Sequence, residues 1–169
     1  MTQSALETTH ELGVVLARRS LDNPWIDHVW VAHTVLTAAP EAEAGMLLSK
    51  EEAQTLVYAG PATVELHVSE TANYRDNLAS GAPSLWVAAR SRSDGGTPDF
   101  IRVTADPTEG EAYFESGSDV VAALPMPPEL IAWIGAFVDA YHVERVFLKR
   151  KRDSKDNRKE RGGRGGGGA

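Results

Sequence analysis

The sequence predicts a single α+β domain with a largely antiparallel sheet of about six or seven strands, two short helices and one long C-terminal helix. Three observations predict this class. Aliphatic and β-branched runs alternate with turn-forming segments, and most connections are too short for a parallel crossover. One apolar stripe with helical spacing lies towards the C-terminal end. With 169 residues, 42% of them hydrophobic and 24% charged, the composition is typical of one soluble globular domain.

Three parts are expected along the chain: a flexible leader over residues 1–10, the folded domain over residues 11–147, and a disordered, basic, glycine-rich tail over residues 148–169. The tail contains nine basic and three acidic residues. It offers little apolar surface to offset the entropy of ordering, and this favours disorder. The net charge of −7 therefore combines an acidic body with a basic tail.

The first two strands are predicted over residues 12–19 and 29–36, as a β-hairpin on which the rest of the domain packs. Between them, Asp22 and Asn23 can bond their own backbone, and Pro24 fixes φ. These residues indicate a turn.

Two further strands are predicted over residues 55–60 and 62–69, with Gly60-Pro61 as a tight connection between them. In the second run, apolar and polar residues alternate, so one face should be buried. A short helix over residues 70–80 follows, closed by Gly81.

Residues 84–90 are nearly continuous in apolar character, which predicts a central strand, and residues 100–104 are expected to be its antiparallel partner. Asp106 is an N-cap candidate for a second short helix that begins at Pro107 and ends at Phe114 or Glu115. A last strand is predicted over residues 119–124.

The long helix is predicted to start at Pro128 or Glu129. Its apolar side chains form one face suited to packing on a sheet. They are Leu130, Trp133, Ile134, Phe137, Val138 and Tyr141.

The absence of cysteine excludes disulfides and sites that need thiolates. The histidines show no HxH or HExxH spacing, so no metal site is predicted, and no motif indicates a cofactor. The amino terminus lacks the pattern of a signal peptide, and no stretch is long enough for a membrane span. The simplest expectation is a cytoplasmic protein.

Carboxylates are abundant, and two groups could supply an acid–base pair. They are Glu65, Glu70 and Asp76, and Glu109, Glu111 and Glu115. There is no GxSxG turn, and Gly95-Gly96 lacks a phosphate-binding pattern. We therefore predict no catalytic residues, although a small enzyme with an unrecognised pocket stays open as an alternative.

Packing in the core does not readily explain five residues of the sequence: Trp25, Trp30, Tyr74, Arg75 and Asn77. Trp25 follows Pro24 in a turn, and an exposed aromatic near arginine resembles an anchor for a binding partner. Burial of the tryptophans in the core is the alternative.

The tail suggests a second possible function. Lys149, Arg150, Lys151 and Arg152 are followed by Arg-Gly-Gly repeats that can neutralise phosphates, as in nucleic-acid-binding tails. No aromatic residue is interspersed among these arginines, and the body is acidic. An extension that solubilises the chain or steers a partner is the alternative that we favour.

Several stretches together indicate a family. They are residues 13–15, 18–19, 21–25, 27–30, 74–75, 77–78, 83–87, 103–105, 125–127, 133, 137–138, 142–143 and 147–152. Residues 22–30 are the most specific part. In these stretches, over about residues 12–152, the chain resembles an uncharacterised bacterial family, the domain of unknown function 3305, whose genes are found beside those of formate dehydrogenase.

The resemblance implies an accessory protein of a molybdenum- or tungsten-dependent formate dehydrogenase system. The expected partners are dehydrogenase subunits or their maturation factors. The hypothesis is that an exposed patch binds a protein partner while the basic run adds electrostatic steering. Its residues are Trp25, His28, Trp30, Tyr74 and Arg75, with Lys149, Arg150, Lys151 and Arg152 in the basic run.

Overall fold

The structure, a computed structural model, describes residues 6–143. Within this range it contains seven strands and three α-helices, which confirms the α+β class. The strands are β1 (Thr9–Ser20), β2 (His28–Leu36), β3 (Met46–Lys50), β4 (Gln54–Glu65), β5 (Ser84–Arg90), β6 (Asp99–Thr104) and β7 (Val120–Pro125). The helices are α1 (Thr71–Ala79), α2 (Pro107–Glu115) and α3 (Pro128–Tyr141). The tail over residues 148–169, which the sequence predicts to be disordered, lies outside the described residues.

The first sheet has the strand order β2-β1-β4-β3, and all its pairs are antiparallel. The predicted hairpin is confirmed, since Ser20 at the end of β1 lies opposite His28 at the start of β2. β1 starts at Thr9, opposite Glu65 of β4, so Thr9 and His10 belong to the sheet, although the sequence places them in the leader. β1 and β4 each have a partner on both sides, so these two long strands form the centre of the sheet.

The predicted connection at Gly60-Pro61 is wrong, because β4 runs through both residues. The β1–β4 ladder skips one residue between Tyr58 and Gly60, and Gly60 adopts a φ of 132° at this bulge. Glycine permits that conformation without steric cost. Pro61 lies beyond the part of β4 that pairs with β3, so its missing N–H breaks no bond to β3. The two predicted strands are thus one.

The second sheet has the order β6-β5-β7. Its central strand and its antiparallel β5–β6 pair are as predicted. β2 contacts β7, and β4 contacts β6, so the two sheets adjoin along two strand pairs. Their apolar side chains form one core with residues of α1 and α3.

The helices follow their sequence signals closely. The Asp106 side chain caps α2 by accepting a hydrogen bond from Thr108 N at 2.9 Å. Gly110 brings α2 against β5, because a Cβ at this position would lie 2.2 Å from Cγ of Trp86. In α3, Leu130, Ile134, Phe137 and Val138 are buried, whereas Trp133 and Tyr141 are partly buried at the edge of the core.

Among residues 6–143, no helix has the length and apolar character needed to cross a bilayer.

Candidate functional site

The loop between β1 and β2, residues 21–27, projects from one end of the first sheet and is held by local hydrogen bonds. Leu21 N donates to Asp27 O at 2.9 Å and closes the loop at its base. Trp25 N donates to Asn23 Oδ1 at 2.9 Å, the bond of an Asx turn, while Pro24 restricts the backbone between them. The loop is therefore ordered by its own sequence.

The apolar side chains of this loop face solvent. Trp25 is 90% exposed, and Ile26 and Leu21 are also exposed. We call these three residues the apolar tip. Seven residues separate β1 from β2, and such a short connection cannot fold back to bury an indole in the core. A large apolar group held in water on an ordered loop is a feature of binding anchors.

His28 lies at the base of the apolar tip between opposite charges. Its Nδ1 lies 2.5 Å from Asp27 Oδ1 and 3.2 Å from Arg18 Nη2. The hydrogen bond from His28 lowers the pKa of the Asp27 carboxyl, with a smaller contribution from the charge of Arg18. A Cβ at Gly95 would lie 3.5 Å from the His28 ring, so the β5–β6 turn packs against this histidine. The base of the loop therefore lies beside the connection between β5 and β6 of the second sheet.

Trp30 is partly buried and packs against the core. Its ring contacts the His28 ring edge-on at a centroid distance of 6.1 Å. Its indole Nε1 is buried and has no hydrogen-bond partner among residues 6–143. Trp30 is therefore a support for His28 rather than an exposed anchor.

Tyr74 does not belong to an exposed patch, and the sequence-based hypothesis is corrected here. Its side chain is 1% exposed and contacts Phe137 at a ring-centroid distance of 6.3 Å. Its hydroxyl accepts a hydrogen bond from His67 N at 3.0 Å. Burial raises the pKa of the Tyr74 phenol. The reason for the burial is the position of Tyr74 on the inner face of α1, towards α3.

Arg75 lies beside Tyr74 and contacts the end of α3, with Nη1 3.1 Å from Nε2 of His142. This contact is at the far end of the sheet from the apolar tip. Arg19 and Gln54 pair at the tip end, whereas Thr9 and Glu65 pair at the other end, which leads into α1. A strand of 12 residues spans roughly 40 Å, so Trp25 and Arg75 do not form one patch.

The basic run Lys149, Arg150, Lys151 and Arg152 lies outside the described residues. The other five predicted residues are divided between the two ends of the sheet: Trp25, His28 and Trp30 lie at one end, and Tyr74 and Arg75 at the other. Among the three aromatic residues of the set, only Trp25 is exposed.

The structure adds an exposed surface that the sequence reasoning missed. Met46, Leu47 and Leu48 of β3 are 51%, 54% and 44% exposed. The sequence feature that indicates this strand is a short apolar run between Gly45 and the pair Glu51-Glu52.

A polar groove of about 220 Å³ lies between β4, β6 and α2. Its ionisable groups are bonded to neighbouring side chains. Glu109 accepts hydrogen bonds from Thr104 Oγ1 at 2.9 Å and from Tyr113 Oη at 3.2 Å. Arg102 stacks on the Tyr113 ring at 4.5 Å and donates to Ser116 Oγ at 2.9 Å. Of the two predicted carboxylate groups, the groove contains Glu65 and Glu109, and Glu109 serves to join α2 to β6.

Among residues 6–143, no three histidine or carboxylate side chains lie close enough together to bind a metal ion. The closest pair in the groove is Glu65 and His67, with Oε2 and Nε2 3.8 Å apart and both side chains exposed. Such a pair alone does not make a metal site.

Comparison with known proteins gives one match. No curated protein and no solved structure matches the chain at a significant level. The family described as "Protein of unknown function (DUF3305)" matches residues 11–152, which is most of the chain and includes both the apolar tip and β3. The resemblance inferred from the sequence is confirmed, and the chain belongs to the DUF3305 family.

Proposed function

We propose that this protein is a non-catalytic interaction or assembly module, acting in the cytoplasm, that binds another protein through the apolar tip. The observation that carries the proposal is the exposure of Trp25 on a loop closed by its own hydrogen bonds. Tryptophan is enriched among the residues that dominate binding energy at protein interfaces.

Burial of Trp25 alone can supply a substantial part of the binding free energy. Burial of an indole removes roughly 150–250 Å² of surface from water, which corresponds to several kcal/mol at about 25 cal/mol per Å² before the costs of association. Because local hydrogen bonds already order the loop, less entropy is lost when a partner binds.

Charged side chains surround the apolar tip and supply a polar rim. Arg18 and Arg19 are exposed at the end of β1, and Asp22 and Asp27 are exposed in the loop. An apolar centre with a charged rim is the usual arrangement of a protein interface. In this proposal the Lys149–Arg152 run adds long-range attraction to an acidic region of the partner and raises the association rate.

The proposed partner is a subunit or maturation factor of a molybdenum- or tungsten-dependent formate dehydrogenase. Support for this partner class comes from the family resemblance. The lack of cysteine is compatible with the proposal, because the chain cannot bind an iron–sulfur cluster through thiolates. In this proposal the chain binds a redox protein and does not itself carry electrons.

The test is affinity purification of the tagged full-length chain from cells that contain such a dehydrogenase, with quantitative mass spectrometry. The wild-type protein should recover dehydrogenase subunits or a maturation factor. Trp25→Ala should reduce that recovery at least about tenfold, because a central anchor contributes 2 kcal/mol or more. The matched control is Phe114→Ala, which removes another exposed aromatic on α2.

Two results would contradict the proposal. Equal recovery with Trp25→Ala and wild type would show that the apolar tip is not the binding surface. Recovery of nucleic acid instead of protein, lost when residues 149–169 are removed, would favour the nucleic-acid alternative.

A further inference from the structure

β3 is an edge strand, and its first amide, Met46 N, already donates to Glu43 O at 3.2 Å. In the order β2-β1-β4-β3 it pairs with β4 on one side, and no strand among residues 6–143 covers its other side. Unpaired N–H and C=O groups at a sheet edge can bind a further extended segment.

The side chains of this edge are unusual for a strand in water. Met46, Leu47 and Leu48 are consecutive and all about half exposed. The ladder skips Leu48, because Leu47 lies opposite Val57 and Ser49 lies opposite Leu56, so Leu48 is the extra residue of a bulge. Short length, a bulge and a lysine all limit pairing at a sheet edge, and β3 has all three, yet three exposed apolar side chains remain along it.

The charge around β3 indicates the chemistry of its partner. Glu41 and Glu43 precede the strand, Glu51 and Glu52 follow it, and all four are exposed. Pairing of β3 with β3 of a second copy would bring these acidic segments together, and like charges at close range oppose association. A partner segment that carries lysine or arginine gains attraction instead.

We propose that β3 accepts an extended segment of a partner protein as a fifth strand of the first sheet, and that this segment alternates apolar residues with lysine or arginine. The inference rests on the proposed function and names the kind of segment that is bound. The two surfaces are adjacent, since Ser20 N at the base of the tip loop donates to Ala53 O in the β3–β4 turn at 3.2 Å.

The experiment is an NMR titration of the full-length ¹⁵N-labelled chain with two capped peptides. One alternates lysine and valine over seven residues, and the other alternates glutamate and valine. The lysine peptide should shift the amide signals of residues 46–50 and slow their hydrogen exchange. Its affinity should exceed that of the glutamate peptide at least about tenfold, and it should fall several-fold between about 50 mM and about 500 mM salt.

Leu47→Lys should weaken binding of the lysine peptide about tenfold, because it places a like charge on the edge. Its matched control is Phe114→Lys, an equally exposed apolar site on α2, which should leave the affinity unchanged. Folding of both variants is checked from the rest of the spectrum.

Three outcomes overturn the inference: equal binding of the two peptides, no shift at residues 46–50, or shifts confined to residues 21–27. Self-association of the chain through β3 at high salt would also overturn the assignment of a basic partner. If any of these outcomes occurs while Trp25→Ala still abolishes partner recovery, the proposed function is retained and only the role of β3 is rejected. If Trp25→Ala has no effect and the lysine peptide binds β3, the apolar tip is rejected as a binding surface and β3 is retained as one.

Discussion

Trp25 and Tyr74 are two aromatic side chains that the sequence assigned to one exposed patch, yet their surroundings are opposite. Trp25 is 90% exposed at one end of the first sheet, whereas Tyr74 is 1% exposed near the other end. Trp25 lies in a short turn that can satisfy its hydrogen bonds locally. Tyr74 lies on a helix that must cover an apolar face.

The comparison shows that an aromatic beside charged residues does not by itself define a surface. What decides exposure is the element that carries the residue. A turn closed on itself leaves its side chain outside, whereas a helix buries the face that points towards its neighbours. The tip end of the domain should therefore serve binding, and the α1 end should serve stability. The following predictions test that division, from the largest expected effect to the smallest.

Tyr74→Ala should cost roughly 3–5 kcal/mol of unfolding free energy, because it leaves a cavity beside Phe137 and removes the acceptor for His67 N. Urea denaturation followed by circular dichroism measures the loss. Tyr74→Phe keeps the volume, so it should cost only about 1–2 kcal/mol. A loss below about 1 kcal/mol for Tyr74→Ala would show that the α1 end is not the stabilising region.

Asn77→Ala should cost roughly 2–3 kcal/mol. The buried Asn77 amide donates to Ser84 O at 2.8 Å and to Ala105 O at 2.9 Å, and its oxygen accepts from Ser84 N at 3.0 Å. Removal of the side chain leaves these backbone groups unsatisfied. Asn73→Ala, on the same helix but bonded to Glu70 in a partly exposed position, is the control and should cost less than about 1 kcal/mol. Equal losses for the two variants would contradict the assigned role of Asn77.

Stability should fall in alkaline solution because of the tyrosines at this end and in the groove. Burial raises the pKa of Tyr74 and of Tyr113 above the ordinary value of 10.0. Above pH 10 the unfolded chain loses the tyrosine proton while the folded chain still holds it, because the pKa is higher in the folded state. The free energy of unfolding is therefore constant below pH 10 and falls as the pH rises towards the pKa of the folded state. The expected loss is roughly 1 kcal/mol per pH unit for each tyrosine. Urea midpoints between pH 8 and pH 11, read with tyrosinate absorbance, measure it, and a flat profile would argue against buried hydroxyls.

Trp25→Ala should change stability by less than about 0.5 kcal/mol, because the indole has little to lose on unfolding when it is already in water. The same urea experiment measures it. The variant should also lose the most red-shifted part of the tryptophan emission. A cost above about 2 kcal/mol would place Trp25 in the fold and remove the basis for a binding tip.

Much of the fold could be predicted from the sequence, because its signals are local. The hairpin follows from two β-branched runs around a turn, the cap at Asp106 from residue type and spacing, and α3 from an apolar stripe. The wrong predictions concern pairing between strands that are far apart in the sequence. Gly60-Pro61 resembles a turn, but pairing with β1 continues on both sides of a bulge, so β4 is one continuous strand. β3 is short and exposed, so no periodic burial pattern reveals it.

The candidate site was only partly predictable for the same reason. Turn chemistry around Pro24 correctly suggested an exposed Trp25. Whether Tyr74 joins it depends on where α1 lies relative to the hairpin, and no local signal encodes that placement. Seven strands were reached from the sequence by dividing β4 in two and omitting β3, so the count is correct although its parts are not.

The two-sided pairing of β1 has a consequence for synthesis on the ribosome. Its β2 partner follows within a few residues, but its second partner, residues 54–65, comes later in the chain. During that interval the hairpin lacks a partner along one edge of β1, a strand with six residues that are buried in the folded domain. Mutations in β4 that slow its pairing should therefore reduce the yield of folded protein more than mutations in α3 that cause the same loss of stability.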